Sequence, residues 1–246
     1  MKLWYINIWL SPETGYDDDY RYEFTLHTRF ISNYFSRQMR RLENRFETDG
    51  TFNMISVKPT PENPRPCRIV PEAALIVEVP FSKTKYEQIK GTENFEYYLE
   101  LLKTGFEKAS KCKEIPLNPL LQILDEFKKN GCKNEWLHKK KRFLEKDIEV
   151  RLNCFFTTFD FRLVATITKI STKEILCSGT VLRTEPDEII FDWMFKDILI
   201  NDKNIVITNS FDLPQILINL KDALKKKLLF KLLEDKEIDR LLSYSN

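Results

Sequence analysis

The spacing of apolar residues changes near residue 147 of this chain. Before that position, apolar residues recur mainly at intervals of three and four, as they do along one face of an amphipathic helix. After it, they alternate with polar residues, which is typical of strands with one buried and one solvated face. The pattern therefore predicts two halves of different structure.

The first half is predicted to combine buried strands with helices. Both faces of a strand over residues 2–10 are apolar, which indicates a central position in a sheet. A polar segment over 11–20 follows and has the composition of a loop. The other expected elements are strands over 52–57 and 73–79 and helices over 31–46, 95–106 and 120–127, the last with Asn118 as N-cap and Pro119 at the first helical position.

Strand periodicity dominates the second half up to its last segment. Alternation over 148–156, 161–167, 175–181, 189–195 and 205–208 predicts an antiparallel meander. Leucines at helical spacing then predict a C-terminal helix over 221–242. The expected fold class is α+β: a mixed sheet with amphipathic helices in a domain over 1–146, then a meander with a C-terminal helix in a domain over 147–246. The pattern leaves open whether the two halves pack as one domain.

Composition limits the chemistry that this chain can perform. Its 246 residues include two histidines and six glycines, and no two glycines have the spacing of a phosphate-binding loop. Imidazole is the side chain that titrates near neutral pH, and glycine-rich turns form most nucleotide-phosphate sites. We therefore expect a binding function, with no catalytic residue, no metal and no cofactor.

Targeting signals and cysteine usage indicate the compartment. The N-terminal residues lack the basic, apolar and cleavage regions of a signal peptide, and no window approaches the ~20 apolar residues of a membrane span. The five cysteines are odd in number and contain no C-x-x-C pair, which is typical of reduced thiols. The sequence predicts a cytoplasmic protein without a membrane partner.

Several titratable residues have both a chemical and a simpler interpretation. His27 and His138 have no histidine or cysteine at ligand spacing, so ordinary structural roles are favoured over zinc binding or catalysis. Glu185, Asp187 and Glu188 lie in one connector, which cannot by itself hold two carboxylates across a glycosidase cleft. An acidic connector is the favoured interpretation of that segment.

Clustered arginines leave a different function open. Arg37, Arg40, Arg41 and Arg45 lie on one predicted helix, with Arg29 nearby. Such a face can follow a phosphate backbone, so the alternative is a nucleic-acid-associated protein or nuclease. The net charge of +2 and the interleaved acidic residues make nucleic acid the less favoured partner.

A family resemblance rests on three segments: residues 133–136 (Lys-Asn-Glu-Trp), the lysine run after them, and residues 183–188 (Arg-Thr-Glu-Pro-Asp-Glu) before an aromatic stretch. With its size, many aromatic residues and few glycines, the chain resembles the small cytosolic immunity proteins that accompany bacterial polymorphic toxins. The resemblance implies a protein that binds a cognate toxin domain and blocks its active site or substrate approach. It assigns no role to any particular residue.

The segment best suited to a protein partner follows the first predicted strand. Its relevant residues are Tyr16, Asp17, Asp18, Asp19, Tyr20 and Tyr22. Tyrosine often anchors protein interfaces, and three aspartates suit a basic partner surface. In competing interpretations the tyrosines fold back on the sheet, or the aspartates bind a hard cation, although successive residues rarely converge on one ion. Replacing all three aspartates with alanine is expected to slow association and leave folding intact.

Overall fold

The computed structural model describes residues 1–42, 46–61, 63–71 and 73–233. Helices and both mixed and antiparallel sheets are present, which confirms the predicted α+β class. The chain forms two compact units. One consists of Met1–Asn134 with Thr157–Phe159, and the other of Glu135–Phe156 with the residues from Asp160 onward.

The first unit is built around a four-stranded sheet. Its elements are β1 (Tyr5–Ile8), α1 (Asp18–Arg41), β2 (Met54–Thr60), β3 (Arg68–Val70), β4 (Ala74–Pro80), α2 (Lys83–Ile89), α3 (Glu96–Cys112) and α4 (Leu117–Lys129). The strand order is β1-β2-β4-β3, in which β1, β2 and β4 are parallel and β3 is antiparallel to β4. The carboxyl ends of three parallel strands therefore meet at one edge of the sheet.

Strand β1 lies at the edge of this sheet, so the prediction of a central strand is wrong. Ile6 and Ile8 are each 2% exposed, whereas Tyr5 is 42% exposed, so one face is buried and the other is partly open. Aromatic side chains can lie on this partly open face because the polar atoms of tyrosine and tryptophan form hydrogen bonds while the rings stay half-buried. The indole N–H of Trp9, for example, donates to the Ser56 hydroxyl at 2.8 Å.

Helix α1 begins at Asp18, well before the predicted start, so part of the expected loop is helical. The Asp17 carboxylate accepts a hydrogen bond from the Tyr20 N–H at 2.7 Å and caps the helix. The helix ends at Arg41, and residues 43–45 of the predicted helix lie outside the described residues. The body of the helix packs on β1.

Helices α3 and α4 follow the predicted apolar stripes, and their buried residues include Leu102, Phe106 and Phe127. Helix α4 begins at Leu117, so the prediction of Asn118 as its N-cap is wrong. Pro119 still lies within the first turn, where a backbone N–H has no intrahelical partner to lose.

Helix α3 approaches the sheet closely at Gly105. A Cβ atom at this position would lie 2.5 Å from Cγ2 of Val57 and 2.9 Å from its Cγ1. Val57 lies on β2 and is fully buried, and a β-branched side chain has few alternative rotamers. Glycine is therefore required here for packing and not for a turn.

Replacing Gly105 with alanine is expected to lower the free energy of unfolding by about 1–2 kcal/mol. Overpacking a core costs about 1–3 kcal/mol, and two contacts shorter than 3 Å place this site at about 2–3 kcal/mol. About 1 kcal/mol of that cost is offset by the gain in helix propensity. Urea denaturation measures the change, with the exposed neighbour Lys103→Ala as control. The double variant Gly105→Ala/Val57→Ala should be more stable than the sum of the single effects predicts. An unchanged or raised stability of Gly105→Ala would contradict this packing.

The second unit contains two four-stranded sheets. Its elements are β5 (Asn134–Phe143), β6 (Ile148–Phe156), β7 (Phe161–Lys169), β8 (Ile175–Thr184), α5 (Glu188–Phe191), β9 (Asp197–Ile200), β10 (Asn204–Thr208), β11 (Pro214–Asn219), α6 (Leu220–Leu224) and β12 (Phe230–Leu232). The strand orders are β5-β6-β7-β8 and β12-β11-β10-β9, and neighbouring strands from β6 to β8 and from β9 to β12 pair antiparallel. The strands predicted over 148–156, 161–167, 175–181 and 205–208 are confirmed as β6, β7, β8 and β10. Burial alternates along β6 and β7, whereas four consecutive residues of β10 are buried.

The lysine-rich segment forms β5 and does not act as a linker. Consecutive cations on it have different acidic partners: Lys140 Nζ lies 3.2 Å from Glu149, and Lys141 Nζ lies 2.8 Å from Asp197. Consecutive residues of a strand point to opposite faces of the sheet, so Lys140 and Lys141 reach different neighbours. The boundary expected from the sequence followed this segment at residue 146, whereas the two compact units divide before it, at Asn134.

Two predicted elements of the second unit are wrong. Residues 189–195 contain helix α5 and irregular structure in place of a strand, because the Asp187 carboxylate accepts from the Ile189 N–H and starts a helical turn. The helix predicted over 221–242 is limited to α6 and is followed by β12; Lys226, with a φ of 65°, interrupts it. The remainder of that prediction, from residue 234, lies outside the described residues.

Candidate functional site

The segment expected to bind a partner forms the start of α1. Asp17 is the N-cap, Asp18 and Asp19 occupy the first turn, and Asp18 forms an ion pair with Arg21. Carboxylates at this end of a helix are stabilised by the helix dipole, which offsets their mutual repulsion. Because Asp17 caps the helix, replacing all three aspartates with alanine is expected to cost about 1 kcal/mol of stability. That differs from the sequence-based expectation of intact folding.

Two of the tyrosines in this segment fold back on the first unit. The rings of Tyr16 and Tyr20 lie 4.8 Å apart; Tyr16 contacts Phe81 edge-on at 5.8 Å, and Tyr20 contacts Tyr86 edge-on at 5.5 Å. The Lys83 ammonium lies over both rings, at 5.6 and 5.2 Å from their centroids. Burial raises the pKa of both phenols. These contacts anchor the segment and leave both tyrosines half-buried.

The third tyrosine of the segment faces outward. Tyr22 is 47% exposed, and Asp18 and Asp19 are also exposed. Residues three and four apart share one face of a helix, so Tyr22 lies beside both carboxylates. We call Asp18, Asp19 and Tyr22 the acidic helix end. It is an exposed carboxylate and phenol surface held by an anchored helix.

Both histidines have structural hydrogen bonds. His27 Nδ1 lies 3.1 Å from the Tyr86 hydroxyl, and burial lowers the pKa of this imidazole, so it is neutral at pH 7. His138 Nε2 lies 2.6 Å from the carbonyl oxygen of Phe195. Within the described ranges, no three histidine, cysteine, aspartate or glutamate side chains are placed to hold a metal ion.

The thiols and the acidic connector also have structural explanations. Burial, together with the neighbouring Cys112 thiol, raises the pKa of Cys67 to about 12, and burial raises the pKa of Cys177. A thiol is nucleophilic only as the thiolate, so both are poor nucleophiles at neutral pH. In the connector over 185–188, Asp187 is buried and caps α5.

Two of the arginines proposed for nucleic-acid binding contact other side chains of the first unit. Arg37 Nη1 donates to the Asn134 side chain at 2.8 Å, and the Arg40 guanidinium lies over the Tyr5 ring at 5.0 Å. Arg45 lies outside the described residues. The nucleic-acid alternative stays a prediction.

A charged pocket that the sequence patterns did not reveal lies at the carboxyl ends of β1, β2 and β4. Its volume is about 480 Å³, within the range of small-ligand sites. In open sheets with parallel strands, ligands bind outside the carboxyl ends of the strands. The side chains that define the pocket are Ser11, Glu13, Lys58, Thr60, Arg65 and Glu78.

Two buried charges form the floor of the pocket. Lys58 and Glu78 are 7% and 3% exposed and lie on neighbouring strands in register. The Glu78 carboxylate accepts from the Arg65 N–H at 2.8 Å and from Arg68 Nη1 at 2.7 Å. Burial opposes ionisation of Glu78, but the hydrogen bonds from Arg68 and Arg65 outweigh it and hold the pKa below its ordinary value. The carboxylate is therefore ionised at neutral pH.

The mouth of the pocket is formed by Glu13. This residue lies in a single turn of 3₁₀-helix, Pro12–Thr14, that follows β1 and is capped by the buried Ser11 hydroxyl. Its carboxylate pairs with Arg65 and lies 3.5 Å from Lys58 Nζ. The hydrogen bond from Arg65, followed by the charges of Lys58 and Arg65, lowers the pKa of Glu13. A carboxylate thus occupies the space between two cations.

No helix in the described part of the chain has the length and apolarity that a bilayer span requires. Comparisons with protein-family models, with curated proteins and with solved structures found no match to this chain.

Proposed function

We propose that this chain is a non-enzymatic cytoplasmic binding protein that neutralises a bacterial toxin by direct contact, as an immunity protein. The partner is a protein with a basic surface, and it docks on the acidic helix end. The observation that carries this proposal is the arrangement of α1: Tyr16 and Tyr20 pack inward and fix the helix start, while Tyr22 and two carboxylates stay outside.

Preorganisation supports this surface as an interface. Binding costs free energy when loops or side chains become ordered, and a helix capped by Asp17 is already ordered. Tyrosine supplies a large contact area and a hydroxyl, and carboxylates beside it complement lysine and arginine. Charges arranged in this way mainly accelerate association and select the partner.

Asp18→Asn/Asp19→Asn/Tyr22→Ala is the variant that tests this surface, because it leaves the Asp17 cap in place. Co-expression with the product of the adjacent upstream gene supplies the candidate partner. We expect an affinity at least about tenfold lower, because loss of an interface anchor costs at least about 1.4 kcal/mol. Surface plasmon resonance at two salt concentrations should also show a smaller salt dependence of the association rate.

Glu114→Gln/Asp125→Asn is the matched control, since it removes two exposed negative charges from the same unit. It should bind as the wild type does and unfold at the wild-type urea concentration. The triple variant should unfold at a slightly lower urea concentration, because two first-turn carboxylates and the ion pair with Arg21 are lost. If the wild type neither co-purifies with the candidate nor protects cells from it, the immunity function is wrong. If it binds but both variants bind equally well, the partner docks elsewhere.

A further inference from the structure

The pocket is lined by two cations, Lys58 and Arg65, and two carboxylates, and two further cations contact the segments that form its walls. Lys58, Arg65 and Arg68 contact its two carboxylates, Glu13 and Glu78. A fourth cation, the ammonium of Lys108, donates to the backbone carbonyl oxygens of Arg65 and Glu78, at 2.6 and 2.9 Å. Glu78 already takes two guanidinium groups. Lys58 and Arg65 therefore attract a second negative group, at the position that the Glu13 carboxylate occupies.

The ammonium group of Lys58 can donate a hydrogen bond to a further acceptor. Its side chain is 8% exposed, and its ammonium lies over the Trp9 ring at 5.4 Å from the centroid. The Glu13 oxygen is 3.5 Å away, whereas a charge-assisted N–H to carboxylate hydrogen bond is about 2.7–2.9 Å long. A buried ammonium is stabilised by close acceptors, and an anion inside the pocket supplies a closer one.

Glu13 is suited to act as a displaceable occupant. Its side chain is 55% exposed, and it belongs to a single short turn at the mouth of the pocket. Glu78, in contrast, is buried and fixed by β4. When Glu13 swings outward it becomes solvated, and Lys58 and Arg65 then face the pocket together.

We propose that this pocket binds a small-molecule oxyanion, a carboxylate or a phosphate ester, whose charged group takes the place of the Glu13 carboxylate between Lys58 and Arg65. An ammonium and a guanidinium together recognise such groups through several N–H donors. The Ser11 and Thr60 side chains also line the space. The cavity of about 480 Å³ has room for a molecule larger than the oxyanion alone.

The test uses the full chain and two probes, succinate and inorganic phosphate, titrated separately by isothermal calorimetry. At least one probe should bind with one-to-one stoichiometry. The probe with the higher affinity shows whether the pocket prefers a carboxylate or a phosphate group. Glu13→Gln removes the competing charge and should tighten that probe by about tenfold, because one charge-assisted hydrogen bond no longer has to be broken. Lys58→Met should weaken it by about tenfold or more.

Matched controls separate the pocket from the net charge of the protein. Glu114→Gln removes a distant exposed carboxylate, and Lys103→Met removes an exposed ammonium; neither should change the affinity. Trp9 fluorescence gives a local signal, which Trp9→Phe should abolish. Because Lys58→Met could unfold the protein, Glu13→Gln is the deciding variant. The proposal is overturned if neither probe binds wild type or Glu13→Gln, or if Glu13→Gln and Glu114→Gln have equal affinities.

Discussion

Replacing Glu78 with glutamine is expected to lower the free energy of unfolding by about 2–3 kcal/mol. The side chain is 3% exposed and accepts hydrogen bonds from Arg65 and Arg68. The glutamine amide nitrogen can donate but not accept, so at least one of these donors would face another donor. Removing one partner of a buried pair costs about 3–5 kcal/mol. The side chains of Arg65 and Arg68 are 57% and 35% exposed, so their guanidinium groups regain some hydration, which reduces this cost.

The pH dependence of stability should change in the same variant. The pKa of Glu78 lies below its ordinary value of 4.5 in the folded protein, so the unfolded chain takes up the proton first as the pH falls. The stabilisation is therefore complete above about pH 4.5 and is lost as the pH falls through the folded-state pKa. Glu78→Gln lacks this contribution, so the two proteins should differ most near neutral pH and converge in acid.

Urea denaturation from pH 7 down to pH 3 measures both effects. The four tryptophans divide equally, with Trp4 and Trp9 in the first unit and Trp136 and Trp193 in the second. A Trp136→Phe/Trp193→Phe background therefore reports on the first unit alone. Glu13→Gln is the control. The exposed Glu13 carboxylate also pairs with Arg65, but it should contribute much less than Glu78 to the free energy of unfolding. Equal stability losses in Glu13→Gln and Glu78→Gln would show that burial of Glu78 does not matter.

The sequence predicted best where a strand has one buried and one solvated face. β6 and β7 alternate in this way, and the inward residues Leu152 and Leu163 are almost completely buried. β1 was misplaced because aromatic side chains on its outer face resemble core residues in such a pattern. A periodicity pattern sorts residues only into apolar and polar. Tyrosine and tryptophan have both an apolar ring and a polar atom, so the pattern cannot tell whether they are buried or partly exposed.

The start of α1 could have been predicted from the residues around it. Asp17 precedes two further aspartates, and an acidic cap followed by acidic first-turn residues is typical of a helix N-terminus. The interpretation as a loop gave more weight to Pro12 and Gly15, which belong to the preceding turn. Tyr22 shares one helix face with Asp18 and Asp19, as their spacing indicates, but the inward direction of Tyr16 and Tyr20 depends on Phe81 and Tyr86, far along the chain.

The charged pocket could not be predicted, because its residues come from separate segments. Ser11 and Glu13 follow β1, Lys58 lies on β2, and Glu78 lies on β4. Only the parallel register, in which Lys58 pairs with Glu78, brings the two buried charges side by side. One sequence signal was present: each is a charged residue near the end of an otherwise apolar strand, and such residues are rarely buried without a partner.

The misassigned segment at 189–195 leads to the largest effect expected in the second unit. Its aromatic residues suggested a strand, yet they pack around Phe161 of β7. Phe191 stacks on Phe161 with centroids 3.5 Å apart and an interplanar angle of 7°, and Phe195 lies 6.0 Å away on a nearly parallel ring. Phe156 meets both Phe161 and Phe191 edge-on. This aromatic cluster holds a four-residue helix that has little stability of its own.

Phe161→Ala is therefore expected to lower the free energy of unfolding by about 3–5 kcal/mol, the usual cost of a fully buried phenylalanine. Phe161→Leu keeps most of the volume and should lose only about 1–1.5 kcal/mol with the ring stacking. Ile175→Ala, on the neighbouring strand β8 and 60% exposed, is the control and should change stability by less than about 0.5 kcal/mol. Denaturation in a Trp4→Phe/Trp9→Phe background follows the second unit. If Phe161→Ala and Ile175→Ala unfold at the same urea concentration, α5 does not depend on this cluster.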